Sequence, residues 1–366
     1  MHLKKRKEKD KYRMKKFNFL YFLKQNSVRY FMTALSLFLI LLLLLNLADA
    51  NFFEASQAFL KSAFGGRRYA YLYVTISRCA LITGMAIAAL IAFRAGLINI
   101  GGEGQLVIGG FVAAFVSIYS GVTGVAGIIL AILGAMIGGG LWAVLAGLMK
   151  LKLGVPILVG TLLLNYPARY ITSYFVSHPL RDVSSGMPQT HLLDKSLWLP
   201  FIEGTRLDIG FMFILIVYAF VLVYGYRTVP GYHARMTGLS IEFAATSGVN
   251  IFNTTLKTLA FSGAIAGLVG AIAVLGIHHR FTDGMLVQPL YAWTGIVAAL
   301  LINLVPWAIL PAGFFFASLT SGASGMERTA DVPKEIAIII QGIIILFVAS
   351  RATSIASGSK KKEEGS

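Results

Sequence analysis

The stretch GLINIGGEGQ, residues 96–105, places three polar side chains among glycines within a very apolar part of the chain. Asn99 and Gln105 can donate and accept hydrogen bonds, and the Glu103 carboxylate can bind a cation or a proton. A carboxylate in hydrocarbon costs several kcal/mol, so it is expected to face protein or water. The stretch therefore predicts either a polar pathway or a buried polar contact.

Two interpretations of Glu103 remain open. Gly101, Gly102 and Gly104 each disfavour a helix by roughly 1 kcal/mol relative to alanine, and irregular backbone at membrane depth is tolerated only where protein or water covers it. The first interpretation is a helix break or a very close helix contact, with Glu103 near a polar pathway. In the second, Glu103 lies at the interface just after Arg94, pairs with it or caps a helix N-terminus, and only shapes the fold.

A second polar insertion lies in GVPILVGTLLLNYPARYITSYF, residues 154–175. Pro156 and Pro167 remove backbone donors, while Thr161 and Asn165 lie four residues apart and so share one helical face. Broken helices often line transporter sites near the bilayer midplane. An asparagine can equally well bond a neighbouring helix. Both interpretations of this segment stay open.

The elements that position these residues are predicted to be membrane helices. Of the 366 residues, 57% are hydrophobic and 13% are charged, against about 25% charged residues in soluble proteins. Repeated small residues, as in GAMIGGG and SGAIAGLVGAIA, predict close helix packing. The predicted fold class is an all-α, polytopic transmembrane helical bundle, because long apolar runs approach the ~20 residues that cross a bilayer. The ten candidate spans are 31–48, 71–93, 99–120, 125–148, 155–177, 209–225, 253–277, 288–304, 306–322 and 336–350.

The net charge of +16 is concentrated near the ends of the chain. The first 30 residues hold 11 of the 32 Lys and Arg, and such basic arms set topology and contact anionic membrane lipid. Nucleic acid is not an expected partner, because no soluble domain offers it a groove. The charge distribution predicts an N-in, C-in arrangement. Its parts are a basic cytoplasmic arm (1–30), a transmembrane domain (31–350) and a cytoplasmic tail (351–366).

Two loops of the transmembrane domain stand out by length. The external loop, residues 177–208, is rich in turn formers and long enough to fold over the outer face. The internal loop, residues 226–255, is expected to form one or two short helices at the cytoplasmic surface. Arg235 is expected to face water there, and residues 243–245 to offer an apolar patch for docking another protein. A solvated connector is the alternative.

No catalytic or metal-binding motif is recognisable. The sequence has one cysteine, and it lacks a phosphate-binding loop, an HExxH pattern and a Cys/His cluster with metal spacing. Few ionisable residues lie within the spans, with Arg78 and Arg169 expected near span ends, so a proton relay is not indicated. Uphill transport would then draw on a partner. We expect no catalytic residue, metal or cofactor in this chain, and ATP used by a partner ATPase.

Several motifs resemble one family. FRAGLINIGGEGQLVIGG (93–110) is similar to the signature of bacterial ATP-binding-cassette (ABC) import permeases, in the branch serving simple sugars and nucleosides. TLLLNYPA (161–168) resembles a later motif of that family, and VSHPLRDVSSGMPQT (176–190) the outer loop of its nucleoside-type members. GYHARMTGLSIEFAATSGVN (231–250) resembles its coupling loop. The resemblance covers about residues 94–348.

This resemblance implies the ABC importer permease fold and a multi-pass permease subunit in the bacterial plasma membrane. The implied partners are a second homologous permease subunit, a cytoplasmic ABC ATPase and an extracellular substrate-binding lipoprotein. The chain departs from the family pattern at Pro156-Ile157, Ser240-Ile241 and Phe243. The positions matching the coupling loop, which would lie in a groove of the ATPase, are Gly231, Arg235, Gly238, Ala244 and Gly248.

The resemblance of the outer loop implies nucleosides as the substrate, with simple sugars such as pentoses as the alternative. Neutral polar side chains suit hydroxyl-rich ligands, and rings such as Tyr291 and Trp293 can stack on a base, although such rings also anchor at membrane interfaces. A non-ABC secondary transporter and a membrane scaffold without transport are the rival classes. The residues expected along the substrate pathway are Asn99, Glu103, Gln105, Thr161, Asn165 and Tyr166.

Overall fold

The computed structural model describes residues 51–66 and 69–330, together with the isolated positions 46, 332, 333, 335, 339 and 342. Within this part of the chain the architecture is helical, and its only β-type pairings are isolated bridges. Six helices are long and apolar enough to cross a membrane. The all-α transmembrane class is therefore confirmed, while the count of about ten spans and the N-in, C-in orientation stay predictions.

The two described ranges fold into a series of α-helices joined by turns and by longer loops. One helix continues into a π-helical turn, Ala273–His278, and 3-10 turns span Lys195–Leu197 and Pro306–Ala308. The helices are α1 (Phe52–Phe64), α2 (Ala70–Arg94), α3 (Gly102–Tyr119), α4 (Gly124–Leu153), α5 (Ile157–Ser177), α6 (Gly210–Arg227), α7 (Val229–Leu239), α8 (Ile241–Thr246), α9 (Ile251–Ile272), α10 (Tyr291–Leu301) and α11 (Ile309–Thr329).

Most candidate spans coincide with helices. Helices α2, α3, α4, α6, α9 with its π-helical turn, and α11 with the preceding 3-10 turn are the six that meet the requirements of length and apolarity. Helix α5 is 21 residues long but carries several polar side chains. The candidate span 288–304 is helical only over the 11 residues of α10. The candidate spans 31–48 and 336–350, the arm 1–30 and the tail 351–366 lie outside the two described ranges.

The chain divides into two compact units. The smaller unit comprises residues 1–59 and 323–366. Within it, a small buried cluster brings together Ala55, Ala58 and Met326. The larger unit, residues 60–322, holds the complete helices α2 to α10. The polar residues singled out in the sequence all lie in this larger unit.

The centre of the larger unit is the crossing of α3, α4 and α9, where glycines let helix backbones touch. A Cβ added to Gly267 of α9 would lie less than 3.0 Å from the Ala135 carbonyl oxygen of α4, and one on Gly109 of α3 would lie equally close to Gly267. Lipid tails are as apolar as leucine, so close van der Waals packing holds such helices together. The close packing predicted from the small residues is therefore confirmed.

We expect Gly267→Ala to lower the melting temperature of the detergent-solubilised protein clearly. The added methyl group would meet backbone, which cannot turn aside, and overpacking typically costs about 1–3 kcal/mol. Gly160→Ala is the matched control, because a Cβ there would find its nearest neighbour at 3.7 Å and alanine favours the helix by about 1 kcal/mol. Equal melting temperatures for the two variants would contradict the close approach of α4 and α9.

The long segment between α5 and α6 packs along the end of α9. The Leu199 amide donates to the Leu275 carbonyl at 3.0 Å, and the Leu193 amide donates to the His279 carbonyl at 2.9 Å. The Trp198 indole stacks on the His279 ring with 3.8 Å between centroids. This loop, which was predicted to fold over the outer face, thus covers one end of the helices. Its extracellular location stays a prediction.

A non-helical loop, residues 95–101, connects α2 to α3. The Gly96 amide donates to the Phe93 carbonyl and the Leu97 amide to the Ala92 carbonyl, each at 3.0 Å, which is the Schellman arrangement of a helix C-terminus. Gly96 has φ +72, a conformation that glycine adopts without strain. The chain is thus non-helical just before the first turn of α3, which holds Glu103. A polar pathway beside this loop stays a prediction.

Candidate functional site

Asn99 and Gln105 hold the loop 95–101 between three helices. Asn99 Nδ2 donates to Gln105 Oε1 and to Ser262 Oγ of α9, each at 3.2 Å, and Gln105 Nε2 donates back to Asn99 Oδ1 at 3.1 Å. Ser262 Oγ donates to the Ala88 carbonyl of α2 at 2.7 Å. Asn99 and Gln105 are buried. Because their amide groups bond each other and α9, they position the break between α2 and α3.

Helix α5 binds the other side of this loop through Thr161 and Asn165. The Ile100 amide donates to Thr161 Oγ1 at 3.1 Å, and Asn165 Nδ2 donates to the Ile100 carbonyl at 3.2 Å. Asn165 Oδ1 accepts from the Gly104 amide at 2.8 Å, one of the amides that a helix N-terminus leaves without an intrahelical partner. Both side chains are buried and act as contacts between helices. Their part in a pathway stays a prediction.

Glu103 is buried at 2% exposure in the first turn of α3, where the helix dipole favours a carboxylate. Its Oε1 pairs with Nε and Nη2 of Arg169, and its Oε2 accepts from Trp293 Nε1 at 3.0 Å. The pairing with Arg94, one of the two possibilities within the second interpretation, is wrong. Arg94 instead lies over the Tyr226 ring, with its Cζ 5.2 Å from the ring centroid, because α2 ends on the side of the molecule where α6 and α7 meet.

Arg169 lies near the middle of α5, not near a span end as expected. Its side chain is 40% exposed, and its Cζ lies 6.0 Å from the Tyr166 ring centroid. Arg169 was not among the residues predicted to line the pathway. A signal was available, because Thr161, Asn165 and Arg169 follow one another at intervals of four residues and so share one helical face.

An exposed strip on α5 surrounds this arginine. We call it the α5 face and define it as Tyr166, Arg169, Tyr170 and Ser173, with Trp293 of α10 beside them. Tyr166 is 52% exposed and Trp293 is 37% exposed, so both rings are open on the surface of this chain. Ser173 Oγ donates to Asp283 Oδ2 at 3.0 Å. The buried Glu103 carboxylate thus fixes a guanidinium and an indole whose outer sides are open.

Tyr291, the other ring considered for stacking on a base, is placed differently from Trp293. It is buried at the first turn of α10, so its ring is not available to a ligand in this conformation. Trp293 lies two residues further along the same helix and reaches the surface. Of the two rings on α10, only that of Trp293 is therefore accessible to a ligand.

The internal loop 226–255 contains the two short helices that were expected there, α7 and α8. Each begins with a side-chain cap. Thr228 Oγ1 accepts from the Gly231 amide at 3.2 Å, and Ser240 Oγ accepts from the Phe243 amide at 3.2 Å. Such hydroxyl caps satisfy amides that the first helical turn leaves unpaired. The location of this helix pair in the cytoplasm stays a prediction.

Three of the predicted coupling positions shape the helix pair or its contact with α6. A Cβ on Gly231 would lie less than 3.0 Å from the Tyr224 carbonyl at the end of α6. Ala244 is buried against Met236 in a small core beneath α7 and α8, so its expected place in an exposed patch is wrong. Gly248 has φ +83 and forms the turn that leaves α8. These three residues shape the helix pair.

The other two coupling positions lie against the end of α2. Arg235 is half-buried rather than turned to water as expected, and its Cζ lies 5.2 Å from the centroid of the Tyr226 ring. A Cβ on Gly238 would lie less than 3.0 Å from the Arg94 carbonyl oxygen, and one on Gly96 would lie 3.2 Å from the Gly238 Cα. Helix α7 therefore touches the backbone at the start of the loop 95–101.

An exposed apolar surface does exist on the helix pair. It consists of Leu239, Ile241 and Phe243, which are 89%, 52% and 62% exposed, and we call it the docking patch. The exposure expected for Phe243 is therefore confirmed. Three large apolar side chains within five residues form a surface of the kind that binds another protein.

Comparison with known proteins gives a family match over most of the chain. The model of the family described as "Branched-chain amino acid transport system / permease component" matches residues 71–349. The guanosine ABC transporter permease protein NupP of Bacillus subtilis is 30% identical over 289 residues, which are 77% of this chain and 82% of that protein.

Two further relatives differ in their named substrates. The glucose ABC transporter permease protein TsgB13 of Haloferax volcanii is 29% identical, over 73% of this chain and 72% of its own length. The nucleoside ABC transporter permease protein NupB of Lactococcus lactis is 23% identical, over 76% of this chain and 82% of its own length. All three matches therefore span most of both chains.

Proposed function

The chain belongs to the permease family whose model matches residues 71–349, and from this premise we propose that it forms the nucleoside pathway of an ATP-driven importer. Members of this family are integral membrane transport components rather than enzymes, and they work with an ATPase and a substrate-binding protein. Two relatives are named for guanosine or nucleosides, which supports nucleosides as the first candidate. One is named for glucose, so simple sugars are the second.

The observation that carries the pathway is the exposed Arg169 near the middle of α5. A charged side chain at the centre of the hydrocarbon costs roughly 2.5–3.5 kcal/mol even on insertion scales. The guanidinium is fixed by Glu103, which keeps it on the α5 face. Facing lipid is therefore unfavourable for this surface, and we place water, substrate and a second homologous permease subunit against it.

The chemistry of the α5 face suits a nucleoside. The rings of Tyr166, Tyr170 and Trp293 can stack on a base. The hydroxyl of Ser173 and the guanidinium of Arg169 can bond ribose hydroxyls or base atoms. In this proposal Tyr166 contacts substrate and Glu103 acts through Arg169. The remaining predicted pathway residues position the helices behind that face: Asn99, Gln105, Thr161 and Asn165.

The docking patch on α7 and α8 is the proposed contact with the ATPase. Its three apolar side chains are exposed on a short helix pair that packs against the ends of α2 and α6. In the proposed N-in, C-in topology this pair lies in the cytoplasm, where the ATPase would bind and hydrolyse ATP. We propose no cofactor for this chain itself, and an extracellular substrate-binding lipoprotein would deliver the nucleoside to the opposite side.

Uptake into proteoliposomes tests this function. The vesicles contain this permease, its partner permease and the ATPase, with ATP on the ATPase side and the loaded binding protein on the other. We expect labelled inosine to accumulate, with unlabelled inosine but not ribose competing, and no accumulation with a non-hydrolysable ATP analogue. Uptake of ribose alone would replace nucleosides by sugars. A binding protein that never changes ATPase activity would favour a membrane scaffold.

A further inference from the structure

We infer that Arg169 reads the base of the substrate and favours a base edge that carries two neighbouring hydrogen-bond acceptors. This inference rests on the proposed nucleoside pathway and adds a specificity to it. It assigns substrate contact to a side chain that lies outside the predicted pathway residues. It also assigns Glu103 the role of holding that side chain in one orientation.

The pairing with Glu103 leaves one edge of the guanidinium open. A guanidinium has five N–H donors in a planar fork. Glu103 Oε1 occupies the edge formed by Nε and Nη2. The terminal edge, formed by Nη1 and the second hydrogen of Nη2, has no hydrogen-bond partner among residues 51–66 and 69–330. Since the side chain is 40% exposed, this edge offers two parallel donors at the α5 face.

The orientation of this edge is fixed before a ligand arrives. Glu103 is 2% exposed, and its second oxygen accepts from Trp293 Nε1 at 3.0 Å, so the carboxylate bonds both side chains at once. The Tyr166 ring lies beside the guanidinium, with 6.0 Å between its centroid and Arg169 Cζ, and the Trp293 indole is held by the same carboxylate. Holding donors and rings in place before binding reduces the entropy lost when the ligand binds.

Two parallel donors select between purine bases. They match a planar ligand with two adjacent acceptors, and the pairing of arginine with O6 and N7 of guanine is the common example. Every 6-oxopurine nucleoside, including inosine, presents this pair. Adenosine presents N7 beside an amino group, and that amino group would oppose an arginine N–H. The α5 face is therefore expected to pass inosine and guanosine faster than adenosine.

Maximal uptake rates of the complete importer test this specificity. Nucleoside and binding protein are both saturating, so that the affinity of the binding protein does not set the rate. With the unaltered protein we expect inosine to be faster than adenosine and also faster than 7-deazainosine, which lacks the N7 acceptor. Arg169→Lys keeps a positive charge beside Glu103 but loses the fork. We expect it to lower the inosine-to-adenosine rate ratio about tenfold, as for the loss of one bidentate contact.

The control variant is Arg206→Lys, an exposed arginine between α5 and α6, which should leave the ratio unchanged. Equal rates for inosine and 7-deazainosine in the unaltered protein would overturn the inference without any variant. So would Arg169→Lys if it slows inosine and adenosine alike, or if it only reduces co-purification of the partner permease. In those cases nucleoside uptake, and with it the proposed function, still stands. An unaltered importer that takes up no nucleoside would overturn both.

Discussion

Arg169→Leu is expected to destabilise the protein more than Glu103→Gln does. The leucine variant leaves the Glu103 carboxylate buried at 2% exposure with a single hydrogen bond from Trp293. The glutamine variant removes the buried charge and leaves a guanidinium that is 40% exposed and can reach water. Breaking a fully buried ion pair from one side costs about 3–5 kcal/mol. We expect about 2–3 kcal/mol for Arg169→Leu, because solvent already screens part of this pair.

Thermal unfolding of the detergent-solubilised protein measures this difference. The double variant, Arg169→Leu with Glu103→Gln, should recover most of the loss, since residues in direct contact have non-additive effects on stability. Arg206→Leu is the matched control for removing an exposed arginine that does not pair with Glu103. A double variant no more stable than Arg169→Leu alone would contradict the prediction. It would show that the stability lost in Arg169→Leu does not come from leaving the Glu103 charge unpaired.

Helix positions were largely predictable from the sequence, because length and apolarity alone define a membrane span. Helices α2, α3, α4, α6 and α9 begin and end within five residues of their predicted spans. The partner of Glu103 was not predictable in the same way. Arg169 lies 66 residues away in the chain and Trp293 lies 190 residues away, and only the packing of α3 against α5 and α10 brings the three together.

The roles of the polar side chains needed the structure for a related reason. The sequence does not distinguish an asparagine that lines water from one that bonds a neighbouring helix. In the structure, Asn99 and Asn165 bond neighbouring helices. The loop 226–255 shows the same limit. The sequence predicted its helices and the exposure of Phe243, but the burial of Ala244 depends on how α7 folds over α8. Periodicity identifies helices, and tertiary contacts decide which of their faces are covered.

Gly238→Ala is expected to lower ATP-driven uptake about tenfold while the ATPase still binds. The added methyl group would meet the Arg94 carbonyl oxygen and would push α7 away from the end of α2. A series of contacts links Gly238 to Glu103. Gly238 touches Gly96 in the loop 95–101, and Asn99 of the same loop accepts from the Gly101 amide at the start of α3, which holds Glu103. A substitution along such a chain of contacts changes the coupling between two sites by roughly 0.5–2 kcal/mol, and tenfold lies within that range.

Two measurements separate coupling from binding in this variant. Co-purification of the ATPase should persist, because the three side chains of the docking patch are exposed and the substitution leaves them unaltered. Gly248→Ala is the matched control in the same helix pair. Its φ is +83 and no atom lies within 4 Å of an added Cβ, so it introduces backbone strain without displacing α2.

The pattern of losses then identifies the route between the ATPase and the α5 face. If Gly238→Ala lowers uptake and Gly248→Ala does not, the contact with Gly96 transmits motion. Gly248→Ala strains the backbone of the helix pair without touching that contact, so strain alone would not explain the loss. Equal losses in both variants would assign the effect to the helix pair alone. Unchanged uptake in Gly238→Ala would mean that α7 moves the membrane helices through α6, where Gly231 packs on the Tyr224 carbonyl, and the loop 95–101 would then serve only to position Glu103.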